Sequence, residues 1–241
     1  MTNRWLVLHL EAPLMSFGGV SIDHIGQTRN FPATSMLVGL LANAIGWTWS
    51  NFKELQLLQE RLIFATRCKR DGGLITDSQN AQLSKKDSGW TTRGIPEGRT
   101  GASYSAPHRR QRDYLADSSF QVVLRLDPDK SEPTLEDLVN SLEHPARPLY
   151  LGRKPCLPTK AILSNGENRW ILADSAYSAL CCLPNGTSEM FAQWPRGQGP
   201  EKQEEGAVGI FDLQDLRNWH SGFHSGTRQV IEGYLKPENN N

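Results

Sequence analysis

Cysteine is scarce in this 241-residue chain, and its placement excludes two classes of architecture. The four cysteines are Cys68, Cys156, Cys181 and Cys182. No CxxC pair occurs, and the adjacent Cys181 and Cys182 are poorly placed to ligate one zinc together. A disulfide framework or a zinc module is therefore not expected; four reduced thiols in a cytoplasmic protein are. No apolar run approaches the roughly 20 residues needed to span a bilayer. Trp5 to Leu10 is too short for a leader's apolar core, and Glu11 follows it at once. HExxH and carboxylate clusters are also missing. His220 and His224 are four apart, but Gly222 lies between them. No metal or cofactor is expected. Net charge is absent as well, with 26 basic and 26 acidic residues. Binding to an anionic polymer must then come from local segregation of charge.

Such segregation is present. Between Lys85 and Arg112 stand seven basic and two acidic residues, a net +5 over 28 positions. Trp90, Tyr104 and Tyr114 are interleaved with Arg93, Arg99, Arg109, Arg110 and Arg112, and His108 sits among the arginines. Gly89, Gly94, Gly98 and Gly101 forbid a regular helix there. Arginine pairs with phosphates, and aromatic faces take unstacked bases, so a flexible arm of this kind suits an irregular or single-stranded nucleic acid. The plain alternative is a solvated surface loop. Two acidic stretches, Asp127 to Glu143 and Glu201 to Asp215, are expected to face away from such a ligand.

A hydrophobic content of 38% supports a real core. Trp5 to Leu10 reads as a buried first strand, and Glu11 to Thr28 as a long loop. Met36 to Trp47 reads as an apolar helix with Thr34 or Ser35 as N-cap. Gly39 inside it costs about 1 kcal/mol against alanine, which suggests close approach by another element. The free N–H groups at this helix start, with Ser35 and the nearby Arg29, form a candidate phosphate site. The other reading is an ordinary capped core helix. Asn51 with Glu54 reads as a capping box for a second helix. Ile63 to Cys68 and Phe120 to Leu126 read as strands, and Thr134 caps a helix over Leu135 to Leu142. A basic, turn-rich loop follows from Arg147 to Cys156. Ala161 to Leu163 is expected to start the next strand. Trp170 to Leu172 and Ser178 to Leu183 are weaker strand candidates, and Tyr234 to Asn241 looks like a frayed polar tail.

Up to residue 163 the order is βαββαβ, the ferredoxin-like or RRM-like order, with a long insertion between strands two and three. Strands two and three are antiparallel neighbours in that fold, so the insertion would project as an extended hairpin.

Several stretches resemble a known family. They are Trp5-Leu-Val-Leu-His-Leu-Glu-Ala-Pro13, Thr28-Arg-Asn-Phe-Pro32 leading into Leu37-Val-Gly-Leu-Leu41, Arg112-Asp-Tyr-Leu-Ala-Asp117, and Tyr150-Leu-Gly-Arg-Lys-Pro-Cys156. Their order and spacing, over about residues 4 to 160, resemble CasD, the fifth-class Cas (RAMP) subunit of type I-E CRISPR Cascade. The resemblance implies an α+β, ferredoxin-like (RRM-like) palm over 1–163 with an inserted β-hairpin thumb at about 72–116. A C-terminal extension (164–233) would pack on the palm, ahead of a flexible tail (234–241). It implies a noncatalytic subunit that grips the 5′ handle of the crRNA, caps the Cascade backbone subunits and docks beside the large PAM-reading subunit. Target DNA is reached only indirectly, through guide pairing.

On this view Arg93, Arg99, Arg109, Arg110 and Arg112 contact phosphates, and Tyr104, His108 and Tyr114 stack on bases. Arg29 and Ser35 hold a phosphate. Gly152 allows close approach to the RNA, with Arg153 and Lys154 adding charge, as in the glycine-rich loop of RAMP proteins. Two other readings stay open. One is a metal-independent endoribonuclease of the same fold, with Tyr104, His108 or Tyr114 as acid or base. The other is a generic RRM-type module for other RNA.

Overall fold

The apolar run at the N-terminus becomes the centre of strand β1 (Asn3–Met15), which reaches further into the expected loop than its composition suggested. The computed structural model describes residues 2–19, 21–81, 88–90, 96–98, 108–164, 166–184 and 189–235. After β1 come the short strands β2 (Ser21–Ile22) and β3 (Ile25–Gly26), helices α1 (Thr34–Ile45) and α2 (Phe52–Arg61), and strands β4 (Leu62–Arg70) and β5 (Leu74–Ala81). Two three-residue strands, β6 (Ser88–Trp90) and β7 (Pro96–Gly98), pair with each other. The chain then forms the 19-residue β8 (His108–Leu126), α3 (Leu135–Glu143), β9 (Trp170–Ala173), α4 (Ala176–Cys181), β10 (Met190–Pro195), β11 (Ala207–Leu213) and β12 (Arg228–Leu235). Among the described residues no helix is long and apolar enough to cross a membrane.

The main sheet runs β11-β12-β10-β4-β8-β1-β9. β8 is antiparallel to both β1 and β4, and β9 is antiparallel to β1. Both faces are covered, so the centre of β1 is buried without interruption from Trp5 to Leu8. Period-two alternation still sorts its side chains. Leu6, Leu8 and Leu10 enter a cluster with Leu37 and Leu41 of α1, Leu58 of α2 and Leu138 of α3. Trp5 and Val7 point the other way, toward Ala176 and Leu180 of α4 and Trp194 of β10. Each fully buried leucine contributes about 1.5–3 kcal/mol of transfer free energy.

β8 has two regimes. Its C-terminal half pairs with β1 and β4 inside the sheet. Its N-terminal half pairs with β5, from Leu74↔Leu115 to Ala81↔His108, and β5 is exposed along its whole length. Most of the expected arm between Arg93 and Tyr104 lies outside the described residues, including Arg93, Arg99 and Tyr104 themselves. His108 opens β8, but its side chain also falls outside them.

Several local expectations are corrected. The N-cap of α1 is Ala33, not Thr34 or Ser35, and it makes no side-chain cap bond. The acceptor comes instead from Asp215, far along the chain. Asn51 does sit at the N-cap of α2, but its Oδ1 accepts from the Thr48 N–H, so no box with Glu54 forms. Thr134 and Asp137 do form a capping box on α3. The strand expected from Ala161 reduces to one bridge, Leu8↔Leu163, and the strand beside β1 begins at Trp170. Ser178 to Leu183 is mostly helix α4, because the Ser175 hydroxyl caps it by accepting from the Ser178 N–H. Tyr234 and Leu235 belong to β12 rather than to a frayed tail.

Candidate nucleic-acid interface

Where β8 leaves the sheet, its alternation splits the basic run His108-Arg-Arg-Gln-Arg112 in two. Arg110, Arg112 and Tyr114 share one face; Arg109, Gln111 and Asp113 share the other. Tyr114 is only 4% exposed and joins the core. Its ring therefore has no open face for a base, which corrects the stacking role expected of it. Arg110 and Arg112 continue the same face out of the core and form one wall of a cleft of about 650 Å³. Arg110 Nη1 donates to the Asp23 carbonyl at 3.0 Å. Arg112 is exposed and has no hydrogen-bond or ion-pair partner among the described residues. Arg109 does not line the cleft.

Helix α1 also lines the cleft, through Ser35, Met36 and Gly39. The end of the cleft is the loop after Tyr150, whose shape is fixed by backbone bonds. Leu151 N–H donates to the Cys156 carbonyl at 2.7 Å, Cys156 N–H to the Arg153 carbonyl at 2.8 Å, and Ser16 N–H to the Leu151 carbonyl at 3.1 Å. Gly152 adopts φ +95°, and a Cβ there would lie 1.5 Å from the Ser16 carbonyl oxygen. The glycine is thus required by contact with the end of β1 in the free protein, whatever else approaches it. Burial pushes the Cys156 thiol pKa up, so this thiol is a packing group.

Arg153 is a bracket as much as a cation. It donates to the carbonyls of Asp113 (2.9 Å) and Gly26 (2.8 Å), and its guanidinium carbon lies 4.8 Å from the Tyr114 ring centroid. It ties the β2–β3 hairpin to β8 and still leaves its charge at the cleft wall. Lys154 is exposed but does not line the cleft.

The phosphate site expected at the start of α1 is already filled. Asp215 Oδ2 accepts from Thr34 N–H at 2.9 Å and from the Thr34 hydroxyl at 3.1 Å, and the Asp215 carbonyl accepts from Ser35 N–H. The helix end has satisfied its donors with an internal anion. Ser35 and Arg29 also do not converge on one site. Ser35 lines the cleft, whereas Arg29 donates to the Gln214 carbonyl and lines a separate depression.

Sequence reasoning missed the cleft's contributors from the C-terminal part, Arg217, Trp219 and His224, and also His24 and Tyr150. Tyr150 heads one of the blocks that resemble CasD; the others lie in segments without hydrophobic period. The pair His220 and His224 is divided. His224 lines this cleft, and His220 packs edge-on against Phe52 at 4.9 Å. With four arginines and one aspartate among its lining charges, the cleft attracts anions.

A family described as "CRISPR-associated protein (Cas_Cas5)" matches residues 5–231. The chain belongs to the Cas5 family of CRISPR-associated proteins. It is 30% identical over 154 residues to the CRISPR system Cascade subunit CasD of Escherichia coli (strain K12), covering 64% of this chain and 67% of that one. The resemblance to CasD read from the sequence is borne out. A chain of a CRISPR RNA-guided surveillance complex shares the fold, with a TM-score of 0.68, 22% identity, and coverage of 96% of this chain and 90% of the other. A crystal structure of a Cas protein does too, with a TM-score of 0.60, 22% identity, and coverage of 97% and 96%. In this Cas5 chain the matched region takes in the cleft lining from β8 and α1 and the 217–224 segment.

Proposed function

We propose that this Cas5 chain is a noncatalytic subunit of a type I-E Cascade, working in the cytoplasm, that binds the crRNA 5′ handle in the cleft between β8 and α1. The observation that carries this reading is the pairing of Arg110 and Arg112 on one face of β8, above a concave surface that also presents Trp219 and Tyr150. Guanidinium groups hold phosphates while ring faces receive unstacked bases. The antiparallel order β4-β8-β1-β9 supports a ferredoxin-like palm, and the β5–β8 ladder supports a thumb that projects from it. The backbone and large PAM-reading subunits are the partners this assignment brings, with target DNA held only through the guide.

The test is charge reversal with a positional control. Arg110→Glu with Arg112→Glu should abolish retention of crRNA during complex assembly and flatten the salt dependence of RNA binding by about 0.7 in log–log slope for each phosphate no longer held. Arg109→Glu should weaken binding less, because Arg109 does not line the cleft. Unchanged assembly of the double variant at physiological salt overturns the reading.

A second reading, metal-independent cleavage of precursor RNA, has His24, His224 and Tyr150 on the cleft wall in its favour. It ranks below the first because neither imidazole has a hydrogen-bond partner among the described residues to orient it. A discrete cut of repeat RNA in EDTA that vanishes in His24→Ala, His224→Ala or His108→Ala would establish it.

A further inference from the structure

We infer that the RNA cleft continues over the solvent face of α1 into a second, aromatic depression, and that one single-stranded segment of the bound RNA follows this groove to stack a base on Trp49. The inference rests on the RNA-binding reading above and extends it to residues that reading does not use. The second depression measures about 550 Å³. It shares Gly39, Asn43, Tyr150, Arg217 and Trp219 with the first, so the two adjoin. Its far end presents Trp47 and Trp49, and Trp49 is 86% exposed.

Gly39 supplies the independent observation. It lies in the middle of α1, where glycine weakens a helix, and a glycine there normally accommodates a packed neighbour. Here a Cβ at Gly39 would meet no atom within 4 Å. No contact among the described residues accounts for the glycine, and it lines both depressions. A side chain at that point would stand up into the groove. The helix stays low where a ligand must cross it.

The groove chemistry favours nucleic acid over a protein partner. Trp219 is held rigid: its indole N–H donates to Gln59 Oε1 at 3.1 Å, and the Arg217 guanidinium carbon lies 5.1 Å from its ring centroid. Arg147 adds a further cation to the lining and donates to the Gly46 and Trp47 carbonyls, both at 2.7 Å. Ring faces beside guanidinium groups, next to an arginine cleft, form the kind of platform on which successive unstacked bases sit.

The experiment measures fluorescence anisotropy of labelled oligouridylates, about five and about twelve nucleotides long, with the full chain. Trp49→Ala should weaken the longer RNA roughly tenfold and leave the shorter within about twofold, since one stacked base is removed. Gly39→Gln should weaken the longer RNA similarly while raising the thermal midpoint by about 1–3 °C, because it improves the helix. Arg110→Ala with Arg112→Ala should weaken both lengths. If the arginine variants lose affinity and the Trp49 and Gly39 variants do not, the groove is refuted while the cleft stands. The same outcome with weakened capture of purified partner subunits gives the groove to a protein and also refutes it. If neither RNA binds the wild-type chain, both readings fail.

Discussion

Replacing Asp215 by alanine removes a carboxylate that fastens the C-terminal hairpin to the start of α1. Its oxygens accept from Thr34 N–H and hydroxyl, from Arg228 Nε at 3.0 Å to each oxygen, and from Arg228 Nη2 at 2.8 Å. The Asp215 side chain is 0% exposed and that of Arg228 is 17% exposed. Loss of the helix cap alone costs about 1 kcal/mol. Stranding the guanidinium raises the total to about 3–5 kcal/mol, since a largely buried charge then has no anionic partner. For a chain of this size each kcal/mol lowers the thermal midpoint by about 2–4 °C, so a fall of roughly 6–20 °C is expected. Adding Arg228→Met removes the stranded charge and keeps the apolar stem over Phe64, where the guanidinium carbon now lies 4.6 Å from the ring centroid. The double variant should recover all but about 1–2 kcal/mol. Urea titrations of wild type, single and double variants, followed by circular dichroism, give the three free energies. A single variant within about 1 kcal/mol of wild type, or a double variant no better than the single, refutes the account of this junction.

Two further outcomes follow from buried groups. His9 has Nε2 2.5 Å from the Ser164 hydroxyl oxygen, and burial, helped by Lys69 and Lys160 and opposed by Glu11, lowers its pKa from 6.5. The unfolded chain then binds more protons just below pH 6.5, so stability should fall on acidification through that window and level off below the folded pKa. His9→Gln should flatten this part of the profile; parallel melts of the two proteins between pH 7.5 and 5 would contradict it. Gly152→Ala should lower stability by more than the roughly 1–3 kcal/mol of a strained φ alone, because its Cβ would lie 1.5 Å from a backbone oxygen. A thermal midpoint equal to wild type would show that the Ser16 contact yields easily.

What is legible along the chain follows from where periodicity operates. Trp5 to Leu10, Ile63 to Cys68, Phe120 to Leu126 and the α3 stripe have at least one face covered, so their side chains report the core. Signal fails where covering fails. β8 reads as a strand only from Phe120 because its N-terminal half is flanked by an exposed β5 and carries polar residues on both faces. The cap of α1 is invisible along the chain because Asp215 lies 181 positions from Thr34. For the same reason Arg217, Trp219 and His224 cannot be joined to Arg112 by reading in order. The arm's charge is legible as a sum, but geometry depends on parity. Residues 110, 112 and 114 share a face, so one aromatic enters the core and two arginines reach the cleft, while Arg109 leaves on the other side. A net charge counted along a strand therefore overstates the field on either of its faces. The cleft makes up the difference with Arg217, drawn from a segment in which no basic run is visible.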